Sequence, residues 1–122
     1  MSEFRSENSM DTVRVIYRLK FRSGDLERLK KAWRAVVNAH KAAGHASLES
    51  VLLVDKEELL QPQVMATATA ISRWRSQEDW EAQRTDEVDA EAYKVFRDLC
   101  EVESKKVLHE VSVIRDEPAV AH

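Results

Sequence analysis

The 122-residue chain has one cysteine, two glycines and two prolines, and each scarcity excludes something. Cys100 alone cannot build an intrachain disulfide framework or a cysteine-based zinc site. Two glycines leave no glycine-rich phosphate loop, and with only two prolines beside them they argue against a many-turned β-sandwich or a collagen-like chain. His40 and His45 are five residues apart, off a shared helical face, and no carboxylate stands at metalloprotease spacing, so no metal site is expected. Long apolar runs are missing too. The longest charge-free stretch, residues 59–72, falls short of the ~20 residues a membrane-spanning helix needs, and it contains Pro62. Residues 1–10 are polar and mixed in charge, without the apolar core of a signal peptide. A cytoplasmic protein without a membrane partner is expected. Nor is there an excess of basic charge: 19 basic and 22 acidic residues give a net charge of -3, which disfavours generic nucleic-acid binding. The run Arg28, Lys30, Lys31 and Arg34 reads as the solvated face of an amphipathic helix.

What is present is a globular composition, 43% apolar and 34% charged. The length suits one domain, which can bury roughly two-thirds of the surface its unfolded chain exposes. Residues 1–11 read as a loose tail, residues 12–115 as the domain, and residues 116–122, with Pro118, as a second irregular tail.

Patterning along the domain switches between two periods. Residues 12–22 alternate, with Val13, Val15, Tyr17, Leu19 and Phe21 on one side of a strand. After Ser23-Gly24-Asp25 the spacing becomes three and four, and Leu26, Leu29, Trp33, Val36, Val37 and His40 form a helical stripe that Gly44 can end in a left-handed turn. Residues 48–54 form a second strand, and residues 55–62 a polar connection. Residues 63–74 form a third strand, with Ala66, Ala68, Ala70, Ser72 and Trp74 on one face and Met65, Thr67, Thr69, Ile71 and Arg73 on the other. Ser76 and Asp79 make a capping-box variant for the next helix. A break near residues 85–87 follows, and Val88, Ala92, Val95, Leu99 and Val102, flanked by Phe96, mark another helix. Residues 106–115 supply the last strand, with Val107, His109, Val111 and Val113 on one face.

The order strand, helix, strand, strand, helix, strand is the ferredoxin-like split βαβ arrangement, an α+β fold with a four-stranded antiparallel sheet and helices on one face. The other face would then carry Ile16, Met65, Ile71, Leu108 and Ile114. That face is too apolar to leave in water, and a second copy packed sheet to sheet would cover it. A homodimer is therefore expected.

Three segments resemble the antibiotic biosynthesis monooxygenase-like domains of the dimeric α+β barrel superfamily. They are Tyr17-Arg-Leu-Lys-Phe-Arg-Ser-Gly24, Ala32-Trp33-Arg34, and Trp74-Arg-Ser-Gln-Glu-Asp-Trp80-Glu-Ala. The resemblance spans residues 13 to 114 and implies homodimers whose two sheets close into a barrel. It also implies an activity, because some members oxygenate aromatic polyketides such as anthrones with O2 and neither metal nor flavin. Other members degrade haem with a tryptophan and a histidine. Those positions fall here on Gln83 and Tyr93, which do not match.

The residues that could carry such chemistry are few. Small side chains at Ala66, Ala68, Ala70 and Ser72 either allow close helix approach or leave an apolar pocket for a planar ligand. Trp74 is either a core aromatic or one wall of that pocket, and Tyr17 and Trp74 could donate hydrogen bonds to an enolate oxygen. Tyr93 is a further substrate-binding candidate. His40 and His109 are either core histidines or a general base, since imidazole accepts protons near neutrality. His109 is the preferred base, because a strand holds a side chain more rigidly than a helix end beside a glycine turn. Cys100 reads as a small buried hydrophobe. Two functions fit: a cofactor-independent monooxygenase acting with O2 on an aromatic or polyketide-like small molecule, or a non-catalytic dimeric domain that binds a small apolar ligand or serves as a scaffold.

Overall fold

The structure, a computed structural model, describes residues 10–61, 64–85 and 90–115. Both expected tails lie almost wholly outside these residues, as does most of the break expected near residues 85–87. Four strands form one antiparallel sheet in the order β2-β3-β1-β4: β1 is Val13–Arg22, β2 Glu49–Val54, β3 Met65–Trp74 and β4 Cys100–His109. Helices α1 (Leu26–Ala42), α2 (Gln77–Thr85) and α3 (Ala90–Leu99) connect them. This is the ferredoxin-like arrangement. Among the described residues no helix is long and apolar enough to cross a membrane.

Side-chain alternation builds the layer. Val13, Val15, Leu19 and Phe21 of β1 are buried on the same face as Ala66, Ala68, Ala70 and Trp74 of β3, and α1 and α3 pack over that face. A one-turn 3-10 helix, Ser23–Asp25, makes the switch from strand to helix. Its buried Ser23 hydroxyl lies 2.6 Å from the Gln61 carbonyl and 2.8 Å from that of Val64, so it ties down the start of β3. Gly44, at φ +87°, ends α1 as expected. The His45 amide then bonds back to the His40 carbonyl at 2.9 Å, which closes the turn. Ser76 caps α2 by accepting a 3.1 Å bond from the Asp79 amide.

The C-terminal third departs from expectation. α3 ends at Leu99, so Val102 belongs to β4 and not to a helix, and β4 runs over Cys100–His109, six residues ahead of the expected start at 106. The strand is an edge, paired only to β1 with an irregularity at Arg18/Leu19, and most of its residues are exposed. An edge strand needs little apolar alternation, so its pattern is weak. Val111 and Val113 therefore lie beyond the sheet, and so does Ile114, which is 87% exposed and not part of the outer face.

Four of the five expected outer-face residues are in place. Ile16 pairs with Ile71, and Met65 and Leu108 are exposed. The same face carries an ion cluster, in which Glu110 accepts hydrogen bonds from Arg73 at 2.7 and 3.0 Å and from Arg14 at 2.8 Å. These bonds hold the Glu110 carboxyl down at about 2, with Arg73 the largest cause. The cluster fastens the end of β4 to β1 and β3.

Candidate functional site

Two apolar clusters occupy the space between sheet and helices. The larger is built on Leu19, Phe21, Leu29, Ala66, Ala68 and Ala70, with Trp33 and Phe96 packed against it. The smaller holds Val13, Val15, Trp74 and Trp80. Tyr17 touches both. Between them opens a cavity of about 740 Å³, within the usual range for small-molecule sites.

Each wall has a sequence origin. The sheet contributes Tyr17, Ala70, Ser72 and Trp74, consecutive positions on the inner faces of β1 and β3. α1 contributes its last two turns, with Val36, Val37 and His40; α2 contributes Trp80 and Gln83; α3 contributes Tyr93, Phe96 and Arg97. All three tryptophans of the chain, Trp33, Trp74 and Trp80, line the space. The described lining residues include no carboxylate.

The polar centre of the wall is a pair. The His40 Nε2 and the Tyr93 hydroxyl share a short hydrogen bond that joins α1 to α3, and their rings meet edge to face at 5.4 Å. His40 is only 7% exposed. Burial lowers its pKa from 6.5, and neighbouring His45 lowers it further, so the ring is held neutral. The Arg97 guanidinium lies 5.6 Å from the centre of the Tyr93 ring.

Of the nine residues singled out from sequence, six line the cavity: Tyr17, His40, Ala70, Ser72, Trp74 and Tyr93. Three do not. Ala66 and Ala68 lie in the closed cluster, where close packing and not a pocket uses their small size. His109 is exposed at the last position of β4, with Nδ1 2.9 Å from the Met10 carbonyl oxygen. The shift of β4 puts it at the sheet's end, away from the cavity, so it is not proposed as the base. Trp74 also needs revision as a donor, because its indole N–H is already directed to the Ser72 Oγ at 2.8 Å. Cys100 bonds weakly to the Phe96 carbonyl at 3.3 Å, and burial pushes its thiol up to about 11.

The sequence reading passed over Trp80, Gln83, Arg97, Ser47 and Ser50 as lining residues. For Gln83 a signal existed. It stands three residues after Trp80, on the same face of α2, and is 4% exposed. A polar residue at a buried-face position is informative.

No protein-family profile and no curated protein matches the sequence. Solved structures do match its fold. SnoaB, a cofactor-independent oxygenase from Streptomyces nogalater, superposes with a TM-score of 0.64 at 12% identity, covering 90% of this chain and 99% of that one. A candidate antibiotic biosynthesis monooxygenase from Chloroflexus aurantiacus gives 0.57 at 17% identity, covering 91% and 96%. A candidate of the same name from Caulobacter crescentus gives 0.60 at 12% identity, covering 85% and 92%. At these identities the likeness is one of fold, and the fold of this chain is that of the antibiotic biosynthesis monooxygenase-like domains.

Proposed function

We propose that the chain is a cofactor-independent monooxygenase that oxidises an activated ring methylene of a planar aromatic, polyketide-like molecule with O2. The observation that carries this reading is the His40–Tyr93 pair, with His40 buried, in the wall of an aromatic cavity large enough for a fused-ring ligand. The ring proton leaves the substrate carbon for the Tyr93 oxygen while the Tyr93 proton passes to the His40 Nε2. The resulting carbanion, delocalised as an enolate, adds O2 to give a peroxide at that carbon. Loss of water then leaves a carbonyl. One oxygen atom enters the product and the other leaves as water with the two methylene hydrogens, so the substrate supplies all four electrons that reduce O2 and no outside reductant is needed.

The surroundings support an anionic intermediate. With no carboxylate among the described lining residues and the Arg97 guanidinium at the wall, developing negative charge meets no like charge. The neutral state of His40 suits a base, since a protonated ring could accept nothing. In this reading the outer sheet face takes a second copy of the chain, as the resemblance implies. A stable monomer in sedimentation at micromolar concentration would remove that part.

The test is oxygen uptake with an anthrone as substrate. His40→Ala and Tyr93→Phe should each lower the rate by about 10²-fold, the usual range for a general base. The acid limb of the wild-type pH profile should fall below 6.5, following the lowered His40. Undiminished rates in both variants would remove the His40–Tyr93 assignment, and no oxygen uptake above background in the wild type would leave the non-catalytic ligand-binding domain as the better description.

A further inference from the structure

The reaction above makes no use of Gln83, the other buried polar side chain of the cavity wall. It lies on α2 among aromatic neighbours, 4% exposed. Its amide oxygen is sealed from solvent and has no hydrogen-bond partner among the described residues. A buried acceptor without a donor destabilises the fold that contains it, and leucine or methionine would fill the same space without that penalty. The terminal torsion of a glutamine side chain is soft, so the amide can turn toward the cavity with little strain. The chemistry that completes it is a hydrogen-bond donor on a ligand whose body is flat and apolar, because Trp33, Trp74 and Phe96 supply broad aromatic surface in the same wall.

We infer that Gln83 is the specificity-determining residue of this cavity, accepting a hydrogen bond from a hydroxyl group on an aromatic ligand. The inference rests on the ligand-binding half of the reading above and not on its catalytic half. A site with an acceptor waiting for a hydroxyl binds the hydroxyl-bearing compound and rejects the isostere that lacks it, because rejection leaves the acceptor unpaired.

The experiment titrates 2-naphthol and 2-methylnaphthalene into the intact protein and reads quenching of the three cavity tryptophans. The wild type should bind the naphthol about tenfold more tightly than Gln83→Leu does. The methylnaphthalene should bind the variant at least as tightly as the wild type. The ratio of the two preferences isolates the hydroxyl contact from the general apolarity of the probes. Removing an unpaired acceptor should leave the variant's melting temperature unchanged or raised, and Gln83→Met serves as a second, unbranched replacement. A preference that is the same in wild type and both variants would overturn the assignment to Gln83 while leaving the cavity as a binding site. Failure of both probes to bind at millimolar concentration would overturn the assignment and the ligand-binding reading together.

Discussion

Ala68 and Ala70 sit two residues apart on the same face of β3, under the same layer of helices, and have different neighbours above them. Ala68 is opposed across the sheet by Leu19 and Val54 and belongs to the closed cluster with Phe21 and Leu29. Ala70 is opposed by Tyr17 and Leu52 and also faces the cavity. At the closed end α1 presents Leu29 and Trp33, which fill the space that small residues leave. Toward its C-terminus α1 presents Val36, Val37 and the polar His40, which do not. A small residue on a strand therefore makes a pocket only where the helix above fails to fill it.

That contrast has a direct test. Ala68→Leu pushes three carbons into a filled core and should cost about 1–3 kcal/mol. Ala70→Leu extends into the cavity, so it should be close to neutral for stability while abolishing quenching by an aromatic probe. Urea melts of both variants measure the difference, and equal destabilisation would show that the cavity is not the softer side.

Acid should separate the two ends as well. The closed cluster is built from apolar residues, whereas the other end carries two groups with shifted pKa values. His40 resists protonation in the folded chain, so its effect is absent well above pH 6.5 and grows as pH falls below that value, where the unfolded chain takes up the proton more readily. Glu110 is the opposite type. Its lowered carboxyl contributes stability above the ordinary 4.5, and that contribution is lost as pH falls toward about 2. Thermal melts should show a wild-type loss of several degrees across that lower window. Glu110→Gln should flatten the fall there and lower the melting temperature at neutral pH. A wild-type melting temperature constant from pH 5 to 2.5 would show that the Arg14–Glu110–Arg73 cluster holds nothing.

The contrast between the two ends also explains what could be read in advance. The period-2 pattern of β1 and β3 and the three-four spacing of α1 are written by burial, and both appear in the structure. The small-residue row was legible as well, but its two fates were not, because they depend on Trp33, Phe96 and Val37 standing at particular levels above it. β4 was misplaced because its residues 101–106, Glu-Val-Glu-Ser-Lys-Lys, are all exposed at a sheet edge and carry no burial pattern, while the alternation from Val107 to Val113 runs on past His109, where pairing stops. His109 followed that error out of the site. His40 and Tyr93 were each visible, but not their pairing, which requires α1 and α3 to lie side by side.

The smallest expected effect concerns α2, the helix that carries Trp80 and Gln83. Nine residues are too few for a helix to be stable on its own. Its N-terminus is held by the Ser76 cap and by Glu78 and Asp79 in the first turn, where carboxylates complement the helix dipole. Packing adds Trp80 in the smaller cluster, whereas none of the described α2 side chains belongs to the larger one. Loss of the cap should therefore be felt locally. Ser76→Ala should cost about 1 kcal/mol of α2 stability, which is roughly a fivefold increase in opening. Amide exchange of residues 80–83 should quicken by that factor, while the amides of Leu19, Phe21, Ala66 and Ala68 hold their protection. Equal acceleration at both ends would mean that the cavity side and the closed side unfold as one unit, and that the open end is not separately adjustable.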